Sequence, residues 1–204
     1  MEKTDFKRAL KPLFDAPNDA FVAVEVPRLQ FVKVDGAGDP NTAEACGSAL
    51  AWLYGVSYVA KFAAKSALSR DYVVPPLEGL WSADDPGSFV RREKDRWRWT
   101  MMIMAPDFID RGLFEGAVAK TAAKLGGPPA SLRLEAHVEG LSLQTLHRGS
   151  YDDEGPVLAR LHREVMPEQG FTFNGPHHEI YLSDPRRTEP SRLRTILRQP
   201  VKRA

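Results

Sequence analysis

The chain has 204 residues, 43% of them hydrophobic, which is enough to bury a proper core, and its 28 Lys and Arg against 27 Asp and Glu leave no overall field to draw in nucleic acid or an anionic membrane. One cysteine, Cys46, excludes an internal disulfide and agrees with a reducing compartment. There is no apolar run long enough to span a bilayer, and the opening "MEKTDFKRAL" is charged where a secretory core would begin, so a soluble cytoplasmic protein is expected.

Alternating apolar residues in "FVAVEV" (21–26) and "LQFVKV" (29–34), separated by Pro27, predict two short strands leading into the loop "DGAGDPN". Asn41 followed by Glu44 has the spacing of an N-cap and its partner, and helical periodicity over "AEACGSALAWLYGVSYVAKFAAKS" makes this the longest predicted helix. Cys46, among small residues on that helix, is expected to be a buried structural thiol. After Arg70, "YVVPPLEGLWSADD" reads as extended, with prolines that favour an edge or a bulge. A polar loop, "DPGSFVRREKD", precedes "RWRWTMMIMA", where Trp97, Trp99, Met101 and Ile103 alternate with Arg96, Arg98 and Thr100 as in a strand. In the second half, "FIDRGLFEGAVAKTAAKL" is helical and ends at Gly126 and Gly127, and "LRLEAHVEGLSLQTLHRG" supplies strands. "DDEGPVLARLHREVM" reads as one helix with acidic residues and Pro156 in its first turn, followed by extended "FTFNGPHHEIYLSD" and "LRTILRQPV".

The two halves share an order of elements. The turn "VDGAGDP" is matched by "HRGSYDD", each precedes a helix and a Glu-bearing strand, and "LEGLWSA" aligned over "HEIYLSD" places Glu78 on Glu179, Leu80 on Tyr181 and Ser82 on Ser183. This predicts a single α+β domain over 1–204 built from duplicated strand–helix–strand–strand units, about 21–106 and about 107–201. A pseudo-twofold axis between such units would bring Glu78 and Glu179 face to face.

Strand alternation puts His177, Glu179 and Tyr181 on one face and His178, Ile180 and Leu182 on the other, where the apolar pair is expected to meet the helices. With Trp81, Trp97 and Trp99 nearby, the carboxylates and aromatic surface are expected to line a small-molecule pocket, with His177 at its rim. Two carboxylates in such a pocket raise each other's pKa, so that one holds a proton while the other acts as base, and a phenol can steady a carbonyl oxygen that gains charge. The same parts would also bind a hydrophobic or cationic drug without any reaction, and a Glu beside a Tyr on an exposed strand is commonplace; the residues alone leave these alternatives open. His177 and Glu179 have no third ligand at metal-site spacing, and the glycine turns lack a nucleotide pattern, so neither metal nor cofactor is expected. The basic stretch from Arg186 to Arg203 has no interleaved aromatics and reads as solvated surface.

The order of elements, "PLEGLW" and "HHEIYLSDPRRTEPSRLRTILRQPV" together resemble the GyrI-like small-molecule-binding family in its stand-alone form, from about Phe21 to Val201 and most specifically in "EIYLSDPRRTEP". The resemblance implies a duplicated SHS2 module with a ligand cavity, as in the effector domains of multidrug-sensing regulators, in which a buried Glu and aromatics engage the drug. With about twenty residues before the first strand, no DNA-binding segment and no regulator are expected. Stand-alone members similar to this chain include hydrolases that open the cyclopropane of cyclopropanoid genotoxins of the yatakemycin and duocarmycin class. By motif position the resemblance implies catalytic roles for Glu78, Glu179 and Tyr181; Glu179, on an uninterrupted alternating strand, is expected to be the principal base and Glu78, after Pro75 and Pro76 and before Gly79, the helper, with substrate contacts from the pocket-lining Trp81, Trp97, Trp99 and His177. The implied partner is a hydrophobic aromatic small molecule, bound by a monomer or a homodimer and detoxified by hydrolysis.

Overall fold

The computed structural model describes residues 3–85, 87–91 and 93–204; Pro86 and Arg92 of the expected polar loop, and the first two residues of the opening segment, lie outside the described residues. In chain order the main elements are β1 (Val22–Val26), β2 (Leu29–Ala37), α1 (Glu44–Leu68), β3 (Leu77–Ser82), β4 (Arg98–Ala105), α2 (Arg111–Leu125), β5 (Arg133–His137) and β6 (Gly140–Arg148). There follow α3 (Gly155–Arg160), a π-helical turn (Leu161–Val165), α4 (Met166–Glu168), β7 (Phe171–Phe173), β8 (His177–Tyr181) and β9 (Arg194–Arg203). The fold is α+β, with antiparallel pairing among these strands. The chain forms two compact units: Leu29–His137 with the residues up to Ala9, and Leu10–Arg28 with Val138–Ala204.

In the first unit the strand order is β5-β2-β4-β3. One sheet face carries Val32, Val34, Met101 and Ile103; the other carries Lys33, Asp35 and Thr100. On that second face Lys33 Nζ meets Glu135 Oε2 at 3.0 Å, Arg133 meets Asp35 at 2.7 Å, and the Thr100 hydroxyl donates to Asp35 at 2.7 Å. The apolar side of α1, with Trp52, Leu53, Val56 and Ala60 buried, therefore covers the Val32 face, where burying alkyl surface costs no charge. α2 lies along α1, and it can approach because Gly55 faces the Thr121 methyl without a Cβ of its own. Asp110 caps α2 by accepting from the Leu113 N–H at 2.8 Å, and Gly126 ends it with φ +83°.

The expected cap of α1 is corrected. The Asn41 amide and side chain both donate to Asp39 Oδ1 at 2.9 Å, so this residue closes a turn before the helix, and Ala43 occupies the cap position. The single helix expected over the "DDEGPVLARLHREVM" segment is likewise three pieces. Pro167 has no N–H for the carbonyl four residues back, and the Met166 N–H reaches the Leu161 carbonyl as a π turn.

The second unit has the order β1-β6-β9-β8, with β7 also paired to β9. On one face Leu143 and Val201 pack with Leu161 and Met166 of the helical segment; on the other Leu146, Ile180 and Ile196 pack with Ala16 and Phe14. Ile180 thus meets the strap before β1 and not the α3–α4 helix, reversing the expected sidedness of β8. The strap is held by a buried charged network. Arg198 donates to Glu139 at 3.3 Å, to Gln144 at 3.0 Å and to the Leu13 carbonyl at 2.6 Å, and His178 Nδ1 lies 3.0 Å from Glu139 Oε1. Gln144 donates to the Pro12 carbonyl at 2.7 Å.

The repeat is a shift of 111 residues: Val22 and Arg133, Leu29 and Gly140, and Glu44 and Gly155 begin matching elements. Gly38 and Gly149 correspond and both have left-handed φ, +93° and +144°. The second repeat therefore starts near Leu132, and α2 lies between the repeats. Following the pairing from Val34 to Met101 to Gly79, and from Thr145 to Leu197 to Glu179, makes Gly79 the counterpart of Glu179, Trp81 that of Tyr181, and Glu78 that of His178. The alignment expected from sequence was one residue out of register, which exchanges sheet faces because side chains alternate.

Two stability effects are expected. At Gly36 a Cβ would overlap the Trp99 ring, so Gly36→Ala should cost about 1–3 kcal/mol in urea unfolding. Removing the carboxylate opposite buried Arg198 with Glu139→Leu should cost about 3–5 kcal/mol, and a loss under about 1 kcal/mol would show that the network does not hold the strap.

Candidate functional site

Alternation along β8 turns His177, Glu179 and Tyr181 toward the face that α3, the π turn and α4 cover. The Tyr181 hydroxyl donates to Glu179 Oε2 at 2.7 Å, and His177 Nε2 stands 3.5 Å from Glu179 Oε1. Both side chains are largely buried, His177 at 11% and Glu179 at 12% exposure. An edge-on contact between the rings of Tyr151 and Tyr181, with centroids 5.7 Å apart, fixes the phenol against the turn that precedes α3. That turn is itself tied down, since His147 Nε2 meets the Ser150 carbonyl at 3.1 Å and the Ser150 hydroxyl donates to Asp153 at 2.6 Å.

The turn delivers a residue that the sequence did not single out. Glu154, immediately before α3, is 5% exposed and lies beside Glu179. Burial pushes its carboxyl well above the usual glutamate range, and the charge of Glu179, hydrogen-bonded to it, pushes further in the same direction, with Asp152 adding to both. The Thr195 hydroxyl works the other way without closing to an ordinary hydrogen bond: Glu154 Oε1 and Thr195 Oγ1 are both buried with no partner among the described residues. Glu154 thus stands next to a second carboxyl, the arrangement expected of Glu78 and Glu179.

His162, on the π turn, completes the layer. Burial first, and then nearby His177, bring its pKa down to about 4, with Gln199 acting in the opposite direction. The Gln199 amide nitrogen donates to the Gly175 and Pro200 carbonyls at 3.0 and 3.2 Å, which fixes the orientation of its side chain. His162 Nε2 is buried and without a hydrogen-bond partner among the described residues. Both ring nitrogens of His177 are likewise buried without a hydrogen-bond partner among the described residues, the nearest approach being the 3.5 Å from Nε2 to Glu179.

The remaining predicted residues belong to the first unit. Glu78 is buried and pairs in register with Met102, on the Lys33 and Thr100 face, whereas Trp81 and Trp99 pair with each other on the α1 face. The expected convergence of these two tryptophans on Glu78 is thus corrected: residues three apart on an unbroken strand point to opposite sides. Trp97 joins Trp81 edge-on at 5.9 Å and Phe89 at 5.1 Å, forming an aromatic cluster of its own. Among the described residues no group of three His, Cys, Asp or Glu could hold a metal, and no helix is long and apolar enough to cross a membrane. Glu154 was legible only as one more acidic residue in a helix's first turn, where a dipole explanation suffices. His162 had no sequence signal at all.

A family model for the GyrI-like small molecule binding domain matches residues 21–202. No curated protein matches the sequence. Among solved structures, an uncharacterized conserved protein from Listeria innocua is 34% identical with a TM-score of 0.88, over 98% of this chain and 100% of that one. A hydrolase from Listeria innocua is 34% identical with a TM-score of 0.83 over the same shares. The EcmrR C-terminal domain, 10% identical with a TM-score of 0.55 over 91% of this chain and 98% of that one, is similar in fold alone. Family model and full-length similarity agree with the α+β fold, and the chain belongs to the GyrI-like small-molecule-binding family.

Proposed function

We propose that the protein is a hydrolase that uses Glu179 to activate water against the strained cyclopropane of cyclopropanoid genotoxins of the yatakemycin and duocarmycin class, and so detoxifies them. The observation that carries this reading is a buried carboxylate gripped by a phenol, beside a second buried carboxyl and unpartnered polar atoms. The similarity over the whole chain to a hydrolase from Listeria innocua supports it. In the reaction Glu179 takes a proton from water as the water oxygen bonds to a ring methylene carbon. The carbon–carbon bond of the three-membered ring breaks, and its electron pair runs through the conjugated dienone onto the carbonyl oxygen. That oxygen receives the proton, giving a phenol and returning Glu179 to its ionised form. Tyr181 fixes the direction in which Glu179 presents its free oxygen, so that the base is aimed before substrate arrives.

The alternative is a binding protein that sequesters hydrophobic or cationic drugs; the family's small-molecule-binding character favours it equally. The two diverge under one substitution. Glu179→Gln keeps the shape of the site, so a hydrolase should lose about 100- to 10,000-fold in kcat while still binding the drug. Product followed by mass spectrometry at catalytic protein concentration measures this. Fewer than two turnovers per wild-type molecule would leave sequestration as the function. Glu78→Gln, on the sheet face away from α1, should lose less than Glu179→Gln, and the reverse order would exchange their roles.

A further inference from the structure

Six positions of the layer beneath the helix differ in kind between the two repeats. His147, Glu154, His177, Glu179, Tyr181 and Thr195 of the second unit stand where the first has Gly36, Ala43, Leu77, Gly79, Trp81 and Trp99. With Ala43 at the place of Glu154 the first unit still starts a 25-residue helix, so the fold does not require a carboxyl there. Nor does Glu154 perform the usual structural tasks: its side chain makes no helix cap, and it has no salt bridge with Lys, Arg or His among the described residues. A carboxyl buried to this degree without a cation is costly to ionise, and its neighbour is another carboxyl.

We propose that Glu154 is the positioning acid of the site: it carries a proton at working pH, donates it in a hydrogen bond to Glu179, and so keeps Glu179 ionised and aimed beneath the helix. Together with Tyr181, it gives the Glu179 carboxylate two donors and leaves the remaining lone pairs for water or ligand. The titratable groups around it are Glu179, Tyr181 and His177 on β8, Asp152 on its own turn, and His162 across the layer from His177. Among the described residues no Lys or Arg forms an ion pair with Glu154 or Glu179, so the proton takes the place of a counter-ion. Its effect on turnover rests on the hydrolase reading, whereas its protonation does not.

Two measurements on the full chain separate these. In infrared spectra of protein labelled with carbon-13 glutamate at pH 7, a protonated-carboxyl stretch should be present in the wild type, persist in Glu179→Gln and vanish in Glu154→Gln. No such band in the wild type, or a band lost in Glu179→Gln and kept in Glu154→Gln, overturns the proposal whether or not the protein turns over any drug. Because the folded state holds this proton more tightly than the unfolded chain, wild-type stability should fall as pH rises above the ordinary glutamate range until Glu154 ionises, and Glu154→Gln should lack that fall. With a cyclopropanoid substrate, Glu154→Ala should lower kcat about a hundredfold with KM changed far less. Glu154→Gln, whose amide can still donate, should recover most of that loss and lack the alkaline fall of the wild-type kcat profile. An alkaline limb unchanged in Glu154→Gln would remove Glu154 from the reaction.

Discussion

Two carboxyl groups under one helix cannot both be charged when no cation lies between them, and the second unit is organised around that constraint. Glu154 and Glu179 sit in a layer where desolvation and mutual repulsion act in the same direction, so that a single negative charge is retained and placed. The rigid parts around them serve this placement. Ser150 and His147 set the turn, Tyr151 braces Tyr181, and Tyr181 holds one oxygen of Glu179.

The repeat shows what the fold needs and what it does not. In the first unit the equivalent layer is filled by indoles: Trp99 lies over Gly36, and Trp81 stands where Tyr181 does in the second. Gly36 accommodates a ring that His147 in the same place would exclude. One repeat has spent this space on apolar packing, the stabilising use of it. The other keeps buried, unpartnered atoms on His177, His162, Glu154 and Thr195, where the layer of the first has such an atom at Trp99 Nε1 among its described residues. The difference between two copies of one architecture locates the chemistry more sharply than either copy alone.

Much of this was legible in the sequence, for reasons that can be named. Periodicity marked the elements, and the two-residue spacing of Glu179 and Tyr181 put them on one face, where they meet at 2.7 Å. The register of the repeat was not legible. A strand has period two, the loops before β3 and β8 differ in length, and aligning two glutamates by identity shifted the match by one residue, from Gly79 to Glu78. That shift carried the tryptophans to the wrong side of Glu78. Glu154 and His162 were hidden because each lies in a helical segment whose residues are ordinary by composition; only the approach of α3 and the π turn to β8 and β9 makes them neighbours of Glu179 and His177.

β8 itself shows how to tell a structural polar group from one available for function. His178 and His177 are adjacent, both are buried, and they point to opposite faces. His178 meets Glu139, which Arg198 also reaches, and Arg198 in turn grips the Leu13 carbonyl. Arg198, Gln144 and Glu139 on that face hold the strap, and the burial of so much charge is tolerable because these groups complement one another. On the other face His177, His162, Thr195 and Glu154 keep atoms without partners among the described residues. Such atoms cost free energy in the folded protein unless water or a ligand meets them, so their accumulation in one layer, against the paired groups around His178, supports the binding role proposed for the first face and an architectural one for the second.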